Sequence, residues 1–300
     1  MSEKILIRIA VILLFYSRIS VAQNGSPILQ KERNINSVIH HEVTWYQMFS
    51  DIPKDEYNFA AENISQDKIP TYFSIALLTG ALISFDHNSW ENTRNITGRS
   101  PFLKKFSDYT VMLGNGGIHF IFSGMFAVYG LFGHDETAIK TASNITEAVL
   151  ATGLFVQLLK RLTGRESPAA ATSKTGVWDL FPSITEYQGD QAKFYSFPSG
   201  HLATATATLT VIANNYPDEK WIKPVGYSIL GLLGLSLVSK GMHWYSDLPL
   251  AFLIGNSMGN IISPVPDKNG RLTSKNVKGH LALFPSIGKN TAGLNMVYSF

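Results

Sequence analysis

One tetrapeptide and a few outlying charges carry most of the chemistry this chain can offer. Phe197-Pro198-Ser199-Gly200-His201 runs directly into the helix-forming segment LATATATLTVIA. Ser199 at an N-cap, followed by Gly200 and His201, sets a hydroxyl, free backbone N–H groups and an imidazole at one helix N-terminus. Such an end binds an anion and can hand it a proton. His243 and Asp247 lie four apart. On a helix that spacing puts both on one face, where a carboxylate holds one imidazole N–H and leaves the other nitrogen free to attack or to take a proton.

Phosphoryl transfer needs cations for the non-bridging oxygens, a nucleophile in line and an acid for the leaving oxygen. Lys160 and Arg165 supply charge, Ser199 and the N–H groups of Gly200 and His201 hold oxygens, His243 is the nucleophile, Asp247 orients it and His201 is the acid. A histidine pair at His40-His41 is read as solvated, since adjacent helical residues face apart. Gly114-Asn115-Gly116-Gly117 lacks the Lys-Ser/Thr of a P-loop and is read as close helix packing. His119 then reads as a packed or rim histidine, and Asp86-His87 as the cap of a helix end, with a place near the site as the alternative.

The elements that must position these groups read as helices. PTYFSIALLTGALISFDH at 70–87 begins with Pro and is almost continuously apolar, and 88–108 reads as a loop or short helix. Residues 109–132 form a second apolar stretch, and 134–163 a third helix ended by Gly164 with Pro168 beyond. A long segment at 169–196 is expected to be functional. The segment after His201 runs to Asn214, another helix covers 220–238, and a sixth runs from Asp247 to Pro264. No strand rhythm appears, so the fold class is all-α, a six-helix bundle over 70–264. The tail at 265–300 has the grammar of a short β-hairpin around Gly288-Lys289-Asn290.

These residues together resemble the type 2 phosphatidic acid phosphatase (PAP2) superfamily, which also includes class A acid phosphatases and vanadium haloperoxidases. That family combines a Lys followed by Arg-Pro, a Pro-Ser-Gly-His tetrapeptide, and an Arg–His–Asp segment. Lys160 matches the first Lys, Pro198 to His201 match the tetrapeptide, and His243 with Asp247 match the end of the third part. The resemblance implies a phosphohistidine on His243, protonation by His201, orientation by Asp247 and no metal or cofactor. Vanadate enters only on the haloperoxidase branch. The two family arginines fall on Ser167 and Leu237, so Arg165 and Lys240 are the neighbouring cations expected to contact the phosphate instead.

Composition narrows the setting. Only 16% of the 300 residues are charged, against roughly 25% in soluble proteins. The net charge of +3 without a basic run excludes a nucleic-acid binder. Residues 1–22, with Lys4 and Arg8, an apolar core and Ser20-Val21-Ala22, read as a cleaved export signal, with an uncleaved anchor as the rival; 23–69 then form an N-terminal arm. The chain has no cysteine, which fits a protein outside the cytosol. The helical segments show apolar runs of roughly 14–18 residues, below the ~20 of a spanning helix, so a bundle resting on a membrane surface is expected. The expected activity is a cell-envelope phosphatase acting on phosphomonoesters or pyrophosphates, with lipid-linked phosphates favoured. The alternatives are a soluble acid phosphatase or a non-catalytic phosphate- or lipid-binding protein. Neither the substrate nor the oligomeric state is readable from the sequence.

Overall fold

The computed structural model describes residues 47–265, 280–288 and 291–299. The signal-like segment, the arm up to residue 46 with His40-His41, and the turn at Lys289-Asn290 lie outside the described residues.

After a short helical turn at Gln47–Ser50, α1 (Ile52–Asn63) is followed by α2 (Ile69–Gly98), α3 (Pro101–Met112), α4 (Gly116–Gly133) and α5 (Glu136–Thr163). A long connection with one short helix at Ile184–Gly189 leads to α6 (Gly200–Asn215), α7 (Ile222–Ser239) and α8 (Leu248–Ile262). The architecture is predominantly helical. In the tail, His280–Gly288 and Thr291–Ser299 are antiparallel strands with Gly288 opposite Thr291.

The core is where α5, α6 and α8 meet, with Val156, Leu202, Ala203, Ala205, Ala251, Ile254 and Met258 buried together and Leu233 and Leu237 of α7 joining them. The run of Ala and Thr on α6 keeps its surface low. Thr206 and Thr210 turn their hydroxyls back onto the carbonyls of Leu202 and Thr206, at 2.7 and 2.8 Å. Opposite them, α8 carries Gly255 and Gly259. A Cβ on Gly255 would sit 2.2 Å from the Ala203 carbonyl oxygen, and one on Gly259 2.6 Å from the Thr210 Cβ. Small residues at both faces therefore set the helix separation.

Two segments differ from their sequence reading. Residues 88–108, read as a loop or short helix, are split: 88–98 continue α2 to give a helix of 30 residues, and α3 starts at Pro101. The apolar stretch at 109–132 is two helices, broken at 113–115, where the Asn115 side chain caps α4 by accepting from the Gly117 N–H at 2.9 Å.

The expectation of a bundle lying on a membrane is also corrected. Four helices, α2, α4, α5 and α7, are long and apolar enough to cross a membrane. In α2 only 6% of the apolar window is buried, and Phe73, Leu77, Leu78 and Phe85 face outward. Apolar side chains also point out from α4 (Ile121, Val128, Leu131, Phe132) and α7 (Val225, Ile229, Leu232, Leu235). Outward apolar surface on this scale needs a nonpolar medium, so the chain is read as a membrane protein. The apolar runs are shorter than the helices that carry them, since α2 continues through the polar stretch 88–98 to a length of 30 residues.

The α6–α8 contact gives a direct test. Gly255→Leu is expected to abolish folded yield in detergent, whereas Gly231→Ala, where an added Cβ meets nothing within 4 Å, leaves yield and unfolding midpoint unchanged.

Candidate active site

Several helix ends converge on one place: the C-terminus of α5, the N-terminus of α6, the loop 240–247 before α8, and the turn between α3 and α4. Local sequence explains the turns. Gly164 ends α5 at φ 51°, and a Cβ there would lie 1.8 Å from the Asp179 carbonyl oxygen. Gly241 ends α7 at φ 70°. Asp179 N–H donates to the Gly164 carbonyl, Ser196 N–H to that of Arg165, and Ser199 N–H to that of Asp247, all near 3 Å. The first two fold the long 164–199 connection on itself, and the third ties its end to the loop that carries His243.

At the N-terminus of α6, Ser199 is the N-cap and its hydroxyl oxygen accepts from the Leu202 N–H at 3.3 Å. Gly200 lies against Lys160: an added Cβ would meet the Lys160 Cε at 3.6 Å. Lys160 is 1% exposed. Its ammonium donates to the Tyr195 carbonyl and sits 3.8 Å from the centre of the Tyr195 ring. A buried ammonium thus stands beside the first turn of α6, where the helix end already favours an anion.

The imidazoles of His201 and His243 face each other edge to face, with ring centres 5.8 Å apart. His243 lies ahead of the helix that follows Asp247, so the helical condition for a shared face is not met. Trp244 is extended and only Tyr245–Asp247 form a 3-10 turn. The nearest partner of the His243 Nδ1 is the Ser196 carbonyl at 2.8 Å, with the Asp247 Oδ2 behind it at 3.6 Å. A carbonyl can only accept, so Nδ1 carries the proton and Nε2 keeps its lone pair for chemistry. Asp247 spends its oxygens elsewhere: Oδ2 accepts from the Ser196 hydroxyl at 2.5 Å and the Trp244 N–H at 2.7 Å.

Arg165 departs furthest from its sequence reading. It is fully buried, and its guanidinium faces away from any open cradle. Nη1 donates to Ser246 Oγ and Asp247 Oδ1, both at 2.6 Å; Nη2 donates to Asp86 Oδ2 and the Thr175 carbonyl, both at 2.8 Å; Nε reaches the same carbonyl at 3.3 Å. Five donors meet five acceptor contacts, so none is left for a phosphate oxygen. Lys240 is likewise turned outward, its ammonium paired with Asp108 of α3. The positions of the two family arginines hold the buried residues Ser167 and Leu237.

The structure gives new roles to residues read otherwise in the sequence, and adds Ser196. Asp86 is fully buried inside α2 rather than capping it, and accepts from Arg165, the Ser246 N–H at 3.1 Å and the Ser246 hydroxyl. An aspartate within a long apolar helix was the available signal. Ser196 holds both His243 and Asp247 and had no sequence signal. Gly114 lies directly on His201, where a Cβ would meet the His201 Cβ at 2.7 Å, which gives the packing reading of that glycine cluster its partner. His119 is buried in α4, with neither ring nitrogen hydrogen-bonded.

Burial pushes the His201 imidazole down to about 4, and the neighbouring basic groups His243, Lys160 and His119 oppose a second positive charge there. Burial also lowers His243, against the pull of Asp247 and the Ser196 carbonyl. At Asp247 burial acts upward, but Arg165, His243 and Ser196 outweigh it and hold the carboxyl below its usual range. At neutral pH the site therefore holds a neutral His243 beside an ionised Asp247, the pairing a nitrogen nucleophile requires.

Residues 142–271 match the model of the PAP2 superfamily, a span that contains Lys160, the Pro-Ser-Gly-His segment, His243 and Asp247. Among curated proteins, the chain is 33% identical over 67 residues to a lipid A 1-phosphatase of Porphyromonas gingivalis, a match covering 22% of this chain and 15% of that protein. It is 28% identical over 141 residues to the inner membrane-spanning protein YciB of Aeromonas hydrophila, covering 43% of this chain and 66% of that one. Among solved structures, Aquifex aeolicus LpxE is similar with a TM-score of 0.42 and 23% identity, over 57% of this chain and 92% of that one. A transmembrane PAP2-type phosphatidylglycerolphosphate phosphatase from Bacillus subtilis has a TM-score of 0.40 and 16% identity, over 72% and 94%.

Whether Arg165 is structural can be measured. Arg165→Gln is expected to lower stability by about 3–5 kcal/mol, the cost of leaving buried carboxylates unpaired, and Asp86→Asn in the same chain should restore part of it. Unchanged stability with a raised KM would instead mean that Arg165 contacts substrate.

Proposed function

We propose that this chain, a PAP2 superfamily member through residues 142–271, is a cell-envelope phosphatase that hydrolyses a lipid-linked phosphomonoester or pyrophosphate through a phosphohistidine on His243. The observation that carries the reading is the facing pair of imidazoles, 5.8 Å apart at the N-terminus of α6, with the Nδ1 of one of them held by the Ser196 carbonyl.

The steps follow from that geometry. The substrate phosphate sits between the two rings, its non-bridging oxygens on Lys160, the Ser199 hydroxyl and the N–H groups of Gly200 and His201. The His243 Nε2 lone pair attacks phosphorus, and the bond from phosphorus to the lipid oxygen breaks. Protonated His201 gives its proton to that oxygen, and the alcohol or phosphate leaves. Water then attacks the phosphohistidine, His201 takes a proton from it, the N–P bond breaks, and inorganic phosphate departs. The charge on phosphate works against the burial that lowers His201, so the bound anion itself favours the protonated acid. No step calls on a metal or cofactor.

The lipid preference rests on the outward apolar faces of α2, α4 and α7. A substrate anchored in the same bilayer meets the site without leaving it. The export signal expected at residues 1–22 supports a reaction on the periplasmic side. With the carboxylate of Asp108 on Lys240 and those of Asp86 and Asp247 on Arg165, Lys160 is the cation the site offers to phosphate. A binding-only role stays as the second reading because the two family arginines are absent from their positions.

Phosphate release from phosphatidic acid, an isoprenyl pyrophosphate and a soluble aryl phosphate, with chelator present, tests the proposal. The wild type should release phosphate from a lipid, and His243→Ala should reduce release by at least ~10³-fold, the scale of losing a nucleophile. His201→Ala should lose more on the alkyl lipid phosphate than on the aryl phosphate, whose leaving group needs no proton. For wild type, kcat/KM should fall as pH rises, because the acid is His201 with a lowered pKa in the free protein. Binding of these lipids without any release would favour the second reading.

A further inference from the structure

A cavity of about 200 Å³ lies beside the catalytic loop, lined by Trp90, Arg94, Ala169, Ser239, Lys240 and Gly241. It backs onto the two segments that build the phosphate site. Gly241 is two residues from His243, and the Ala169 N–H donates to the Gly241 carbonyl at 3.0 Å. Its walls are fixed from both sides. The Ser239 hydroxyl at the end of α7 donates to the Thr97 hydroxyl of α2 at 2.7 Å, and the Thr93 hydroxyl is 2.7 Å from that of Tyr245. The polar end of α2 is thereby pinned to the loop that carries His243.

The chemistry of this lining is that of an anion receptor. Two of its six residues are cationic and no carboxylate lines it. Among the described residues Arg94 has no carboxylate partner; its guanidinium carbon stands 5.6 Å from the centre of the Trp90 ring. Trp90 Nε1 is buried without a hydrogen-bond partner, and the indole forms part of the cavity wall. The Lys240 ammonium is paired with Asp108, but both side chains are well exposed, at 34% and 47%, and such pairs exchange at little cost. A planar guanidinium and an ammonium on the lining of one space suit a tetrahedral oxyanion.

We propose that the Trp90–Arg94–Lys240 cavity is a second phosphate site, which holds a phosphate that is not hydrolysed while the first is positioned at His243. The occupant is either a second phosphate on the substrate headgroup or inorganic phosphate; the first source rests on the lipid-phosphatase reading above, the second does not. The site gives Lys240 a role other than replacing a family arginine. It also couples headgroup recognition to the catalytic loop through Gly241.

The test uses the full chain in detergent. Intrinsic fluorescence is titrated with inorganic phosphate in wild type, Trp90→Phe and Arg94→Gln. The expected result is a saturable change that vanishes in Trp90→Phe and needs about tenfold more phosphate in Arg94→Gln. Phosphate release is then measured from matched lipids bearing one or two phosphates. If the second phosphate of the substrate is the occupant, Arg94→Gln raises KM about tenfold for the bisphosphate alone, with kcat unchanged. If inorganic phosphate is the occupant, both lipids keep their KM, and inhibition by added phosphate weakens in Arg94→Gln. A titration with no Trp90-dependent change, together with wild-type KM for both lipids and unchanged phosphate inhibition in Arg94→Gln, overturns the proposal. Failure of the wild type to release phosphate from either lipid refutes the proposed function instead, and the fluorescence titration still decides the cavity.

Discussion

The structure around the site depends on one buried cation. Arg165 bridges Asp86 of α2 and Asp247 of the catalytic loop, with all of its donors engaged and no exposed surface. Neither carboxylate would be tolerated in that interior without it. With it, Asp86 holds the backbone and hydroxyl of Ser246, and Asp247 holds Ser196 and the Trp244 N–H. Ser196 in turn offers its carbonyl to His243. The position and tautomer of the candidate nucleophile thus trace back, through two hydrogen-bonded steps, to an ion triad that never meets substrate.

That arrangement explains how a site can keep its histidines while lacking cations at two expected positions. Ser167 and Leu237 are packed into the protein, and the nearest basic residue in sequence to the first of them is used for construction. What remains for an anion is local: the start of α6, with its uncommitted N–H groups, and Lys160 held over Tyr195. A single ammonium at a helix N-terminus is a weaker cradle than one with two guanidinium forks. Binding through the lipid or through a second phosphate would offset that loss.

Much of this was legible in the sequence, and what was not has physical reasons. Pro198-Ser199-Gly200-His201 announced a capped helix start, and Ser199 is that cap. The pairing of His243 with Asp247 was visible as a spacing, but no helix carries it. Burial and the Ser196 carbonyl, which no local pattern encodes, decide its geometry. The role of Arg165 depends on Asp86, far away in the chain, so proximity to Ser167 was a poor guide to where its side chain points. Helix type was readable throughout, but helix length was not. A strict apolar count fails for α2, where the chain stays helical well past the last apolar run because its polar half meets the loop carrying Tyr245 and Ser246.

The central claim is that this framework presents the Nε2 of His243 to phosphorus. Rapid acid-free quenching of the full chain during turnover of a radiolabelled lipid phosphate, followed by peptide mapping of the trapped phosphoprotein, measures it directly. The account predicts label on His243 alone, attached at Nε2. Label at Nδ1, on His201 or on another residue would contradict it.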